Sequence, residues 1–302
     1  MKNQHILITG PTGQVAFPVA LAYAQDNEVW AIARFSDAAK KQALTDAGVR
    51  CITADLSLAD FSGVPTDFDY VLNFAVARDV GNDFDRELTA NAEGVGLLMG
   101  HCRNAKAFLH VSSCAVYHPA GHELLTETSP LGDNHRVMFT TYSVGKNAQE
   151  AVVRYAARQF QLPTVICRLN VPYGDNGGWP FYHLLMMQNN VEIPVHTDQP
   201  NIYNLFHEDD IIRSIPKLLD AATTPALIVN WCGDELISIE EWTAYIGELT
   251  GLTPKLKYTT ETLESVMCDN SKLRAITGPS QVHWKDGIRR MIEKLSPASL
   301  VR

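Results

Sequence analysis

A tyrosine and a lysine stand four residues apart in Tyr142-Ser143-Val144-Gly145-Lys146. On a helix that spacing puts both side chains on one face. A free phenol titrates near ~10 and keeps its proton at neutral pH. An adjacent ammonium favours the phenolate, so the pair can exchange a proton with an alcohol or a carbonyl. A second stretch with chemistry is Thr9-Gly10-Pro11-Thr12-Gly13-Gln14-Val15-Ala16, after an apolar run and before a helical pattern. Strand, glycine turn and helix in this order form a cradle for phosphate. Gly10 permits the sharp turn, and Gly13 lets a pyrophosphate approach the helix N-terminus. Thr12, Gln14 and Val15 complete the loop, and Ala16 keeps helix and strand close.

The elements that must position these groups alternate along the chain. Strands are expected at 5–9, 28–33, 49–53, 68–75, 107–111 and 164–167, and helices at 39–47, 83–104 and 139–160. The second strand ends at Ala33-Arg34-Phe35-Ser36 instead of at a carboxylate. A guanidinium there pairs with phosphate, which points to NADP(H), while Asp37 close by keeps NAD(H) as the alternative. Asp55 and Leu56 follow the third strand, with Asp55 placed to meet an adenine amino group or to cap a turn. Phe74, Ala75 and Val76 end the fourth strand at the cofactor edge, and the fifth runs into Ser112-Ser113-Cys114.

Beyond Arg168 the alternation loosens into a turn-rich break at 173–178, then a helix with an apolar face from Trp179. Strands at 201–206 and 226–230 and helices from His207, at 239–250 and at 284–295 complete the chain, with Ser238 as an N-cap. The expected fold is α/β: a Rossmann-like doubly wound parallel sheet with a smaller C-terminal α/β portion. The nucleotide-binding part takes in 1–174 with 203–233 returning to it, and the substrate-binding portion takes in 175–202 and 234–302.

Composition narrows the function. The 302 residues are 46% hydrophobic and 20% charged, with a formal net charge of −9. An acidic chain with no basic run suits neither nucleic acid nor an anionic membrane, and no apolar stretch is long enough to span a bilayer. Six cysteines with no Cys-x-x-Cys pair, and ten histidines without ligand spacing, indicate no metal site and no disulfide framework. A cytoplasmic location is expected.

Taken in order, the motifs resemble the extended short-chain dehydrogenase/reductase family, its NAD(P)-dependent epimerase/dehydratase group, over roughly residues 4 to 295. They are Thr9-Gly10-x-x-Gly13-x-x-Ala16, Ala54-Asp55-Leu56, Leu72-Asn73-Phe74-Ala75 and Asn91-x-x-Gly94-x-x-Leu97-Leu98. Val111-Ser112-Ser113-Cys114-Ala115-Val116-Tyr117, Tyr142-x-x-x-Lys146, Arg168-x-x-Val171-x-Tyr173-Gly174 and His207-Glu208-Asp209-Asp210 follow. The resemblance implies a catalytic trio of Ser113, Tyr142 and Lys146, with Ser112 as the neighbour most easily confused with Ser113. Tyr142 would exchange the proton, Lys146 would hold the nicotinamide ribose, and Ser113 would bond the substrate oxygen. Leu169 joins the cofactor set, and Ser113, Cys114, Asn170 and Trp179 form the substrate set. A homodimer through the helices at 83–104 and 139–160 is also implied.

Departures from the family pattern refine the reading. Cys114-Ala115 stand where dehydratase members place Asp-Glu, so dehydration by that route is not expected. Asn170 comes one place early in its motif, and no cation precedes His207 in Ile202-Tyr203-Asn204-Leu205-Phe206. Both weaken recognition of a nucleotide sugar. The segment Trp179, Phe181, Tyr182, Met186, Met187 suits a less polar substrate, or else is core or a dimer contact. The stretch 118–136, with Glu127 and Asp133, is expected to close over the cleft as a lid or to remain a surface loop. The expected function is hydride transfer between NADP(H) and an alcohol or carbonyl of a small, fairly apolar molecule. A nucleotide-sugar epimerase with tightly held NAD and a non-catalytic NADPH-sensing or scaffold protein are the alternatives.

Overall fold

The computed structural model describes residues 1–58, 60–77 and 83–301. Seven strands form one parallel sheet: β1 His5–Thr9, β2 Glu28–Ala33, β3 Arg50–Thr53, β4 Tyr70–Asn73, β5 Ala107–Ser113, β6 Thr164–Leu169 and β7 Leu227–Trp231. Their spatial order is β7-β6-β5-β4-β1-β2-β3. The order reverses between β1 and β4, and at such a point the loops part and leave a crevice at the strands' C-terminal edge. Helices cover both faces, which is why the central strands are buried on both sides and largely apolar. Within β1 the alternation still shows. Ile6 and Ile8 pack into one core and Leu7 into the core on the opposite face.

A third core gathers C-terminal residues with Cys114, Val116, Tyr117 and Leu125. Its framework is a small sheet in which Ile202–His207 pairs parallel with Val171–Gly174 and antiparallel with Leu236–Ser238. The helices Ile239–Thr250 and Trp284–Leu295 lie where the sequence places them, the first opened by a capping box between Ser238 and Glu241.

Three expectations need correction. The helix expected at 83–104 is Phe84–Leu88 and Gly94–His101 with a π turn, Thr89–Glu93, between them. The extra residue per turn accompanies the clasp of Asn91, whose amide both accepts from Ala77 N (2.7 Å) and donates to Ala77 O (2.8 Å). The helix expected at 139–160 begins at Tyr142, because Met138 and Phe139 turn back to donate to the His135 carbonyl. The stretch 118–136 is neither a free loop nor wholly a lid. Leu124–Leu125 pairs parallel with Met267–Cys268, and Glu127 accepts from Asn230 N in β7 at 2.9 Å, so the stretch is pinned both to the C-terminal portion and to the edge of the central sheet.

Candidate active site

The cleft at the sheet's C-terminal edge has a volume of about 470 Å³ and is lined by Ser113, Tyr142 and Lys146 together. Helix Tyr142–Phe160 starts at the tyrosine, and its buried face runs Lys146, Gln149, Glu150, Val153 at helical period. Lys146 is 4% exposed, and its ammonium donates to the Val111 carbonyl at 2.9 Å. Ser113 ends β5, and its hydroxyl accepts from Ala115 N at 3.1 Å. The structure also separates the two serines. Ser112 donates to the buried Glu150 carboxylate at 2.6 Å, so its hydroxyl is spent on the frame.

That frame is a polar core beneath the trio. Arg168 meets Glu150 through two bonds, Nε to Oε1 at 2.9 Å and Nη2 to Oε2 at 2.8 Å, and lies over the Tyr117 ring at 4.9 Å. Burial opposes the Arg168 charge, but the bonds and charge of Glu150 outweigh it and hold the guanidinium above its ordinary pKa. The Tyr117 hydroxyl donates to Asn230. On the other side of Lys146, Thr9 donates to Asn73 (2.6 Å), whose amide nitrogen meets His110 at 3.0 Å. Burial, then the charge of Lys146, depresses the pKa of His110 and keeps that ring neutral.

The glycine loop fits a dinucleotide. Gly10 has φ +64°, and a Cβ there would stand 2.9 Å from Ala75 Cα, so only glycine leaves the approach open. Gly10, Gly13, Gln14, Val15, Phe74, Val76 and Leu169 line the cleft. Ala75 instead packs behind Gly10 and donates to Thr9 Oγ1, and Thr12, Arg34, Asp55 and Leu56 stand outside the cleft wall. Asp55 binds Ser57 through its backbone N–H and hydroxyl at 3.0 and 2.7 Å. Burial raises its pKa, yet the Ser57 bonds and the nearby charges of Arg34 and Arg86 outweigh this and hold it below the usual carboxylate value. Asp37 caps helix Ala38–Asp46 by accepting from Lys40 N. Lys40, which the sequence reading passed over, reaches back to donate to Thr12 O at 3.0 Å, placing a cation beside the loop.

Cys114, Asn170 and Trp179, the residues expected to meet substrate, line the cleft. The Asn170 amide nitrogen is already committed to Val266 O (2.9 Å), Asn204 Oδ1 (3.3 Å) and Cys268 Sγ (3.4 Å). Of the apolar segment that begins at Trp179, only Trp179 and Tyr182 reach the cleft. Phe181, Met186 and Met187 pack into the C-terminal core. Sequence reasoning missed His135, Met138 and Phe139, which bring the end of the 118–139 excursion against Tyr142. No periodicity marks them. Among the described lining residues there is no Asp or Glu, and Lys146 is the one lysine or arginine.

This fold and this constellation define a pyridine-nucleotide enzyme of the short-chain dehydrogenase/reductase type. The chain belongs to the NAD dependent epimerase/dehydratase family, whose model matches residues 6–230. A dTDP-D-glucose 4,6-dehydratase from Dictyostelium discoideum is 27% identical over 171 residues, 50% of this chain but only 38% of that protein's length. Solved structures share the fold end to end. UDP-glucuronic acid 4-epimerase from Bacillus cereus, in complex with UDP-glucuronic acid and NAD, superimposes with a TM-score of 0.82 at 21% identity, covering 99% of this chain and 100% of that one. UDP-N-acetylglucosamine 4-epimerase from Methanobrevibacter ruminantium M1 gives 0.84 at 18% identity, with the same coverage. No described helix is long and apolar enough to cross a membrane.

Proposed function

We propose that the protein interconverts an alcohol and a carbonyl on a small, fairly apolar molecule, with NADP(H) as the preferred cofactor. The observation that carries this reading is the convergence of Ser113, Tyr142 and Lys146 on one cleft whose described lining is mostly aromatic and aliphatic. The nicotinamide, when bound, supplies or accepts the hydride. Tyr142 gives its proton to the carbonyl oxygen in reduction and takes one from the hydroxyl in oxidation. Ser113 bonds that same oxygen as charge develops on it. Lys146, fixed on the Val111 carbonyl, would hold the ribose hydroxyls and favour the tyrosinate. Gly10, Gly13, Gln14 and Val15 would carry the pyrophosphate. Arg34 and Lys40 support a 2′-phosphate, and the Asp37 carboxylate that would compete with it is turned to a helix cap.

The relatives' names favour a nucleotide-sugar epimerase with NAD as the second reading. Against it, a diphosphate brings charges that ask for cations, and the described lining offers Lys146 alone. One experiment separates the two. Purified protein is incubated with NADPH and a panel of ketones and aldehydes, and NADPH loss is followed. Net oxidation that Tyr142→Phe reduces by roughly 10²-fold or more, with NADPH affinity kept, supports the oxidoreductase. Interconversion of UDP-sugars with no net cofactor turnover supports the epimerase. Full activity in Tyr142→Phe would refute the mechanism.

A further inference from the structure

The backbone N–H groups of Gln14 and Val15 stand at the front of helix Ala16–Ala24, and neither donates to another group among the described residues. What holds them in place comes from far along the chain. Asn176 Nδ2 donates to the Gln14 carbonyl at 2.6 Å, and Gln14 Nε2 donates to the Pro172 carbonyl at 3.1 Å. In a planar trans peptide the carbonyl and the following N–H point opposite ways, so the bond on the Gln14 oxygen fixes the direction of Val15 N–H.

Asn176 is itself set. It stands with Asp175 in the turn between Val171–Gly174 and Gly177–Gly178, where Tyr173 pairs with Gly178 and Gly174 with Gly177. Gly178 has φ +124°, and a Cβ there would stand 2.6 Å from Pro172 O, so glycine lets this hairpin close. Asn176 N donates to Glu208 at 3.2 Å, and Asp175 meets Arg290 at 3.7 Å. The helix Trp179–Gln188 begins directly after the hairpin, and Pro172 and Trp179 both line the cleft. An amide suits this place. It donates to a carbonyl while carrying no charge, whereas a carboxylate would repel both the carbonyl oxygen and a diphosphate. We infer that Asn176 is a positioning residue for the cofactor. It acts through Gln14, holding the Gln14–Val15 peptide ready for the diphosphate that NADPH and NADH share. The cofactor site then extends past Gly174 into the hairpin that leads to Trp179. This rests on the dinucleotide reading of the glycine loop above, and not on which carbonyl compound is reduced.

The test is cofactor binding by the full chain, titrated by fluorescence with NADPH and, separately, with NADH. Asn176→Ala removes the donor and should weaken both by the same factor, roughly 3- to 10-fold, because the diphosphate is common to them. Asn176→Asp keeps the shape but sets a carboxylate against the Gln14 oxygen; it should weaken both further, and serves if the alanine variant does not fold. Adenosine and adenosine 2′-monophosphate, which carry no diphosphate, are followed by saturation-transfer NMR and should bind each variant as they bind wild type. Unchanged affinity for both dinucleotides in the two variants, a loss confined to NADPH, or an equal loss of the fragments overturns the role of Asn176 alone. Wild type that binds neither NADPH nor NADH overturns the dinucleotide reading beneath it as well.

Discussion

Removing the charge of Glu150 tests the frame on which the trio stands. Its carboxylate takes three bonds, from Ser112 Oγ at 2.6 Å and from Arg168 Nη2 and Nε at 2.8 and 2.9 Å. Arg168 is only 1% exposed. Glu150→Gln keeps the shape and one acceptor but turns an NH2 toward donors and strands a buried cation. Breaking a buried pair in this way costs about 3–5 kcal/mol, against a total stability of ~5–15 kcal/mol for a typical domain. The Tyr117 face and the Glu127 carbonyl, still in contact with Arg168, favour the lower end. With a urea slope near 3 kcal/mol/M, the midpoint should fall by about 1 M or more. Replacing both partners with apolar residues, Glu150→Leu with Arg168→Met, should recover much of the loss, because no charge is then left alone. Urea unfolding followed by tryptophan fluorescence reads both. A Glu150→Gln variant within about 1 kcal/mol of wild type would refute the argument that this pair holds β6 and the helix in register.

Three further outcomes follow from named contacts. Arg34→Ala with Lys40→Ala should weaken NADPH roughly 10- to 100-fold while moving NADH little, as fluorescence titration would show; equal losses would remove the 2′-phosphate argument. Burial, then the charges of Asp175 and Asp209, raises the Glu208 carboxyl from its ordinary 4.5 to about 7, against the bond it accepts from Asn176 N. The native state therefore keeps a proton that the unfolded chain has lost, and the stability this gives is full below about 4.5 and lost as pH rises through about 7. Glu208→Gln should thus gain urea stability over wild type as pH climbs through that window and hold the gain above it; a pH-independent difference would count against the shift. Five of the six thiols are buried, and burial pushes Cys102 up to about 12 and Cys114, Cys167 and Cys232 well above the usual range. Iodoacetamide on the native protein should therefore mark Cys51 first, by mass spectrometry, and all six only after unfolding; early labelling of Cys114 would show the cleft floor to be open.

What the sequence makes legible is what depends on short separations. The parallel strands announce themselves because both faces are buried, and Ile239–Thr250 is read to the residue from the Ser238–Glu241 pair three positions apart. Tyr142 and Lys146 are legible for the same reason, one helical turn apart. Ser113 is preferred to Ser112 by the resemblance alone, and the fold adds that the Ser112 hydroxyl is bonded to Glu150. Beyond a turn or two the signal ends. Glu150 lies one turn past Lys146 on the legible face, yet its partner Arg168 is 18 residues on and Ser112 is 38 back. Lys40 finds Thr12 across 28 residues, and Gln14 finds Pro172 across 158. His135 obeys no period, since a bond of Asn134 to a carbonyl 20 residues earlier sets its ring. Tyr142 and Lys146 are thus local to the chain, while the charges and dipoles around them come from the fold. That division explains why the order of motifs reveals the type of chemistry and leaves the substrate to groups whose partners only the folded chain supplies.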